Sequence, residues 1–175
     1  MKVILSMVMS ADGKTTKWGG PKTHEWTSKE DHAHFLSLLA KSSAIIMGRK
    51  TFDAVKSEIK LSPERLRIVL TNRPNEYESV SVGGQLEFTN DTPQEILKKL
   101  KDRGYAQVLL AGGEQINALF FKAKLIDEVW LTIEPFIFGC GHNFVAEAKL
   151  NITMQLKSVD KLNEQGTIVL KYQVV

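Results

Sequence analysis

Cysteine occurs once in the 175 residues, at position 140. That excludes an intrachain disulfide and any zinc site built from several cysteines. A catalytic thiol would need a histidine partner that the pattern does not supply, so Cys140 reads as a small buried or half-buried residue. Long apolar runs are also missing. Nothing approaches the roughly 20 apolar residues that cross a bilayer, and Met-Lys followed by Val-Ile-Leu-Ser-Met-Val-Met is too short and strand-like for a secretory leader. The expectation is a cytoplasmic protein without membrane contact. Charge of one sign is nowhere concentrated: 23 Lys and Arg against 20 Asp and Glu give a net +3, and no basic cluster is interleaved with aromatics as a nucleic-acid surface requires. Repeats, low-complexity tracts and linkers are absent, which points to one domain over residues 1–175. What is present is ordinary globular composition, 43% hydrophobic and 25% charged, enough for a substantial core.

Strand and helix signals alternate along the chain, the pattern of an α/β domain with a mostly parallel sheet. Residues 2–9 are almost uniformly apolar, as in a strand covered on both faces. Ser10-Ala11-Asp12-Gly13-Lys14 ends that strand, and a polar loop over 14–25, with Gly19, Gly20 and Pro21, has the length of a ligand lid. Thr27-Ser28-Lys29-Glu30 predicts a capping box closed by the Thr27 hydroxyl and the Glu30 carboxylate. In the following helix Asp31, Phe35, Leu38 and Ser42 share one face, so an acid is directed toward the core. His32 and His34 diverge and cannot ligate one metal; with His24 and His142 they read as surface residues, and no metal is expected.

Residues 44–52, Ala-Ile-Ile-Met-Gly-Arg-Lys-Thr-Phe, are a strand feeding a helix predicted over 50–58. The first helical turn leaves backbone N–H groups free, Gly48 permits close approach, and Arg49, Lys50 and Thr51 add charge and a hydroxyl, which together suit a phosphate. A strand over 66–70 ends at Thr71-Asn72-Arg73-Pro74, polar groups where ligands bind in open α/β sheets. Residues 78–82 and 86–89 read as short strands around Gly83-Gly84. Thr92-Pro93-Gln94-Glu95 opens a helix with a capping box and an apolar stripe of Ile96, Leu97 and Leu100. A strand over 107–111 turns at Gly112-Gly113-Glu114 into a helix carrying Ile116, Leu119 and Phe120. Two adjacent glycines permit close backbone approach to a ligand, or a strained or cis peptide. No G-x-G-x-x-G occurs, which disfavours the usual dinucleotide fingerprint. A long strand over 126–138 precedes a closing antiparallel hairpin formed by 152–159 and 167–174.

Several of these stretches resemble, in common order, the dihydrofolate-reductase-like superfamily, and most closely its riboflavin-biosynthesis reductase branch. Trp26 and Asp31, with Phe35 following, are similar to the tryptophan and substrate-binding acid of dihydrofolate reductase. Ile46 to Phe52 resembles its NADPH phosphate loop, Gly112-Gly113 its double glycine, and Leu131-Thr132 its threonine behind the acid. Ser10 to Lys14 resembles instead the first loop of the riboflavin-pathway reductases.

The resemblance implies a dihydrofolate-reductase-like fold: a central, mostly parallel twisted sheet with helices on both faces and a C-terminal antiparallel hairpin. It implies hydride transfer from NADPH to a small heterocyclic substrate, with Asp31 and Thr132 as catalytic residues. Gly48, Arg49, Lys50, Thr51, Thr71, Asn72, Arg73, Gly112, Gly113, Glu114 and Gln115 would hold the cofactor, although Gln115 replaces a basic residue and weakens the pyrophosphate grip. Met7, Asp12, Trp26, Asp31, Phe35 and Arg65 would face the substrate. Asp31 fits a pyrimidine with a 2-amino edge, because a carboxylate accepts two parallel N–H bonds from it. Arg65 suits a glutamate carboxylate or a sugar phosphate. The substrate expected is a ribosylaminopyrimidine phosphate of riboflavin synthesis, in the uracil or the 2,5-diaminopyrimidinone form. Dihydrofolate is the alternative, and an idle nucleotide-binding protein on the same fold a further one. The deaminase half of the bifunctional riboflavin enzymes leaves no H-x-E or P-C-x-x-C, so a standalone reductase is expected, and the resemblance implies a homodimer.

Overall fold

The computed structural model describes every residue except Pro21 and Lys22, and of His24 the backbone alone; the expectations for Pro21 and for the His24 side chain lie outside the described residues. Eight strands form one sheet in the order β4-β3-β2-β5-β1-β6-β8-β7. They are β1 Lys2–Ser10, β2 Ala44–Gly48, β3 Leu66–Leu70, β4 Leu86–Thr89, β5 Gln107–Leu110, β6 Glu128–Glu134, β7 Met154–Lys161 and β8 Ile168–Val174. Pairing is parallel from β4 through β6, and β8 and β7 close the sheet antiparallel. β2 and β3 are buried throughout, which explains their unbroken apolar character.

Helices cover both faces. α3 (Pro93–Asp102) and α4 (Glu114–Lys122) pack Ile96, Leu97, Leu100, Ile116, Phe120 and Phe121 against Val3, Leu5, Ile46 and Ile68. On the opposite face, Leu38 of α1 (Lys29–Ala40) and Phe52 of α2 (Arg49–Val55) pack against Ile4, Ile45, Met47 and Val69. Alternate residues of β1 and β2 therefore serve two cores.

The details correct several expectations. α1 is capped by Ser28, not Thr27: the Ser28 hydroxyl accepts from the Asp31 N–H (3.1 Å), while the Glu30 carboxylate is drawn to the Asn163 amide (3.2 Å). α2 begins and ends earlier than 50–58. Residues 74–80 coil as a 3-10 helix instead of starting a strand at 78, which stacks Tyr77 on Phe88 with centroids 4.5 Å apart. β6 stops at Glu134 instead of 138, because Pro135 has no N–H for the ladder and Phe136 N–H turns back to the Glu134 carbonyl (2.8 Å). β7 starts two residues later than expected and runs to Lys161. Leu119 is 45% exposed instead of joining the core. Cys140 is exposed, in the loop after β6, and not buried. Among the described residues no helix is long and apolar enough to cross a membrane, and no group of His, Cys, Asp and Glu could hold a metal.

Candidate active site

A cleft of about 1910 Å³ opens at the carboxyl ends of β1, β2, β3 and β5, where α/β sheets bind ligands. β2 and β5 are neighbours, and each runs through glycine into a helix. Gly48 caps α2 and Gly113 caps α4, and neither helix start has a side-chain cap. Two rows of unsatisfied N–H groups thus face one opening. The glycines are also demanded by packing. A Cβ on Gly48 would lie 2.8 Å from the Ile116 side chain, and one on Gly112, at φ +77°, 2.6 Å from the Met7 sulfur. The Gly48 N–H donates to the Gly112 carbonyl (2.8 Å), and the Gly112–Gly113 peptide is cis. A Cβ on Gly113 would come 3.4 Å from the Thr51 hydroxyl, so the first turns of α2 and α4 flank a common space.

Around it the cleft is lined by Arg49, Lys50, Thr51, Thr71, Asn72, Arg73, Glu114 and Gln115. Their engagements differ. Arg49 is ion-paired with Asp53 at 2.6 Å and bonds to Tyr77, and Arg73 meets Glu76 at 3.3 Å with most of its side chain in solvent. Glu114 is committed to the loop after β6, to the His142 ring (3.1 Å) and the Asn143 N–H (2.9 Å). Thr71 is nearly buried and accepts from the Arg73 N–H (3.2 Å). Lys50, Asn72 and Gln115 are exposed.

The other end of the cleft carries the acid. Asp31 is only 7% exposed. Burial pushes its carboxyl up to about 6, the nearby Glu134 charge adds to that, and the Thr132 hydroxyl bond and His32 oppose it. Met7 and Phe35 line the same space. Farther along, Arg65 donates to the Ser42 carbonyl (3.4 Å). Arg67 also lines the cleft, is 6% exposed, and has a buried Nη1 without a partner. Desolvation first, and Arg65 next, hold its pKa below that of an ordinary guanidinium. A buried cation without an anion is costly, so this end of the cleft is complementary to one.

Three expected site residues lie outside the cleft lining. The Asp12 carboxylate is taken up by the Ser10 hydroxyl (2.5 Å) and the N–H groups of Phe138 (3.1 Å) and Gly139 (2.7 Å), which hold its pKa down at about 2. It pins the first loop to the loop after β6 instead of facing a ligand. Trp26 is buried edge-on against Phe138, with ring centroids 5.0 Å apart. Gly112 supports the floor through Met7.

Two functional candidates were missed. Glu134 is 1% exposed and accepts from the Ser28 N–H (2.7 Å) and the Thr167 hydroxyl (2.6 Å). Period-two alternation puts it on the face of Thr132, a signal available in the sequence. Arg67 likewise shares the face of Arg65 and is the single charge in an otherwise apolar strand.

Comparison with known proteins assigns the chain to a family. The RibD C-terminal domain matches residues 1–168. The chain belongs to the RibD C-terminal domain family. Among its relatives is the uncharacterized protein YwjB of Bacillus subtilis, 26% identical, with 86% of this chain and 88% of YwjB covered. The fold is similar to that of RibD from Acinetobacter baumannii, with a TM-score of 0.78 at 18% identity over 99% of this chain and 58% of RibD. It is also similar to dihydrofolate reductase from Enterococcus faecalis complexed with NADP(H), with a TM-score of 0.67 at 21% identity, covering 99% and 96% of the two chains. The RibD family therefore has here the dihydrofolate-reductase-like fold expected from the motifs.

Proposed function

We propose that the chain is an NADPH-dependent reductase of a pyrimidine-type heterocycle, acting on a ribosylaminopyrimidine phosphate of riboflavin biosynthesis. The observation that carries the reading is Asp31: a buried acid, poised at about 6, in the same cleft as two uncapped helix starts.

The residues present fit the cofactor. The unsatisfied N–H groups behind Gly48 and Gly113 suit a pyrophosphate, with Thr51 between them. Thr71, Asn72 and Arg73 would hold the adenosine half. Because Arg49 is already paired with Asp53, the exposed Arg73 is the better cation for a 2′-phosphate. When bound, NADPH supplies the hydride.

The chain's own groups do the rest. As a carboxylate, Asp31 accepts two N–H bonds from a 2-amino edge; as an acid, it holds a proton beside the ring nitrogen, with Thr132 fixing its orientation. The 2-amino requirement favours the 2,5-diaminopyrimidinone form over the uracil form. Arg65 and Arg67 would take the phosphate. Dihydrofolate is the second reading, since it presents the same amino edge and offers a carboxylate to the same arginines. A cytoplasmic homodimer belongs to the proposal.

The test is to follow NADPH oxidation by the purified protein with the two ribosylaminopyrimidine phosphates and dihydrofolate side by side. Turnover of the diamino form ahead of the others is expected. Turnover of dihydrofolate alone would make this a folate enzyme, and binding of NADPH without turnover of any substrate would leave a nucleotide-binding protein.

A further inference from the structure

Glu134 is the most enclosed acid of the molecule, and the proposed chemistry does not use it. Its surroundings connect three elements. One oxygen accepts the Ser28 N–H at 2.7 Å, and Ser28 in turn accepts the Asp31 N–H through its hydroxyl at 3.1 Å. The other oxygen accepts from Thr167 at 2.6 Å. Thr167 belongs to the β7–β8 turn, where the Asn163 amide donates both to its hydroxyl (2.9 Å) and to Glu30 of α1 (3.2 Å). Two residues before Glu134 on the same face of β6, Thr132 bonds to the Asp31 carboxyl group. β6 therefore holds the first turn of α1 by alternate side chains, one on the backbone of the cap and one on the acid itself.

We infer that Glu134 is a positioning residue for Asp31: through the Ser28 N–H it holds the helix start whose cap carries the Asp31 N–H, and so fixes where the acid enters the cleft. The inference rests on the reductase reading only for its kinetic consequence. The charged groups that act on Asp31 are Glu134 from β6 and His32 from its own helix. Removing the Glu134 charge leaves burial, which favours the neutral acid, opposed by Thr132 and His32. The Asp31 titration must then move down.

The closing experiment uses two variants that separate charge from reach. Glu134→Gln keeps the shape and loses the charge; Glu134→Asp keeps the charge and loses the reach. Asp31 is titrated directly by carbon NMR of its carboxyl group in the full chain, without substrate, and the pH dependence of kcat/KM is measured beside it. For Glu134→Gln the midpoint should fall below the one measured for wild type by roughly half a unit or more, and the fall in rate with rising pH should begin correspondingly earlier. For Glu134→Asp the midpoint should stay raised while kcat drops about tenfold with the KM for NADPH unchanged. An unmoved Asp31 midpoint in Glu134→Gln, or wild-type kcat in Glu134→Asp, overturns the role. A shifted midpoint in a protein that turns over none of the three heterocycles keeps Glu134 as the group that sets Asp31 and removes the reductase reading alone.

Discussion

α1 and α3 begin with the same local signal, a threonine followed three residues later by glutamate, yet only one start obeys it. At α3, Thr92 accepts from the Glu95 N–H (3.3 Å) and Glu95 accepts from the Thr92 N–H (2.8 Å). No buried group competes there. At α1 the buried Glu134 takes the Ser28 N–H, Ser28 becomes the cap, and Glu30 turns to Asn163. Local capping is worth about 1 kcal/mol, less than leaving a buried carboxylate without its donors would cost. The helix start that departs from its local signal is the one that presents Asp31 to the cleft, and breaks of local rules concentrate at functional sites.

The largest effect expected is catalytic. Asp31→Ala should lower kcat/KM by at least about 100-fold with the heterocycle that is turned over, whereas Thr92→Ala should leave it unchanged. Steady-state kinetics of both variants check the contrast.

The stability consequences run the other way. The Asp31 carboxyl is raised from 3.8 to about 6, so the folded state binds its proton more tightly than the unfolded chain. That stabilisation is complete below the unfolded value and is lost as pH rises through about 6. Replacing the acid by a neutral isostere removes the penalty of a buried charge above that range. Asp31→Asn should therefore be more stable than wild type by about 3 kcal/mol in mildly alkaline buffer, and the gain should vanish in acid. Denaturant unfolding at both ends of the range decides it.

A neighbouring contrast concerns the two arginines. Arg67→Met should weaken a phosphate-bearing substrate by roughly 10- to 100-fold, the loss of a charge-assisted contact. Folding stability should be equal or higher, since a buried unpaired cation is removed. Loss of stability without loss of affinity in binding and melting measurements would contradict the anion-facing role.

The smallest effect belongs to α3. Thr92→Ala should cost about 1 kcal/mol of stability, visible as a lower denaturation midpoint, while the α1 cap should tolerate Thr27→Ala with little change.

The same contrast explains what could be read in advance. Apart from the strand expected over 78–82, the order of strands and helices, the glycine junctions at Gly48 and Gly113, the α3 cap and the antiparallel hairpin were legible because local pattern and glycine sterics decide them. Asp31 was legible as an acid on a core-facing stripe. Its partner Glu134 was not singled out, because it is brought to Ser28 across 106 residues by the pairing of β1 with β6. The same applies to Asp12, whose loop motif suggested a ligand contact but whose partners at Phe138 and Gly139 are distant in sequence. The 3-10 coil over 74–80 is likewise tied to a contact outside its own segment, the stacking of Tyr77 on Phe88 of β4.

The most direct test of the account is NADPH oxidation with the diaminopyrimidinone substrate, by wild type and Asp31→Asn, at pH values below and above the Asp31 midpoint of about 6. The account predicts that wild type turns over faster below the midpoint, and that Asp31→Asn loses at least about 100-fold and the pH dependence with it. Wild-type rates in Asp31→Asn, with the same pH dependence, would contradict it.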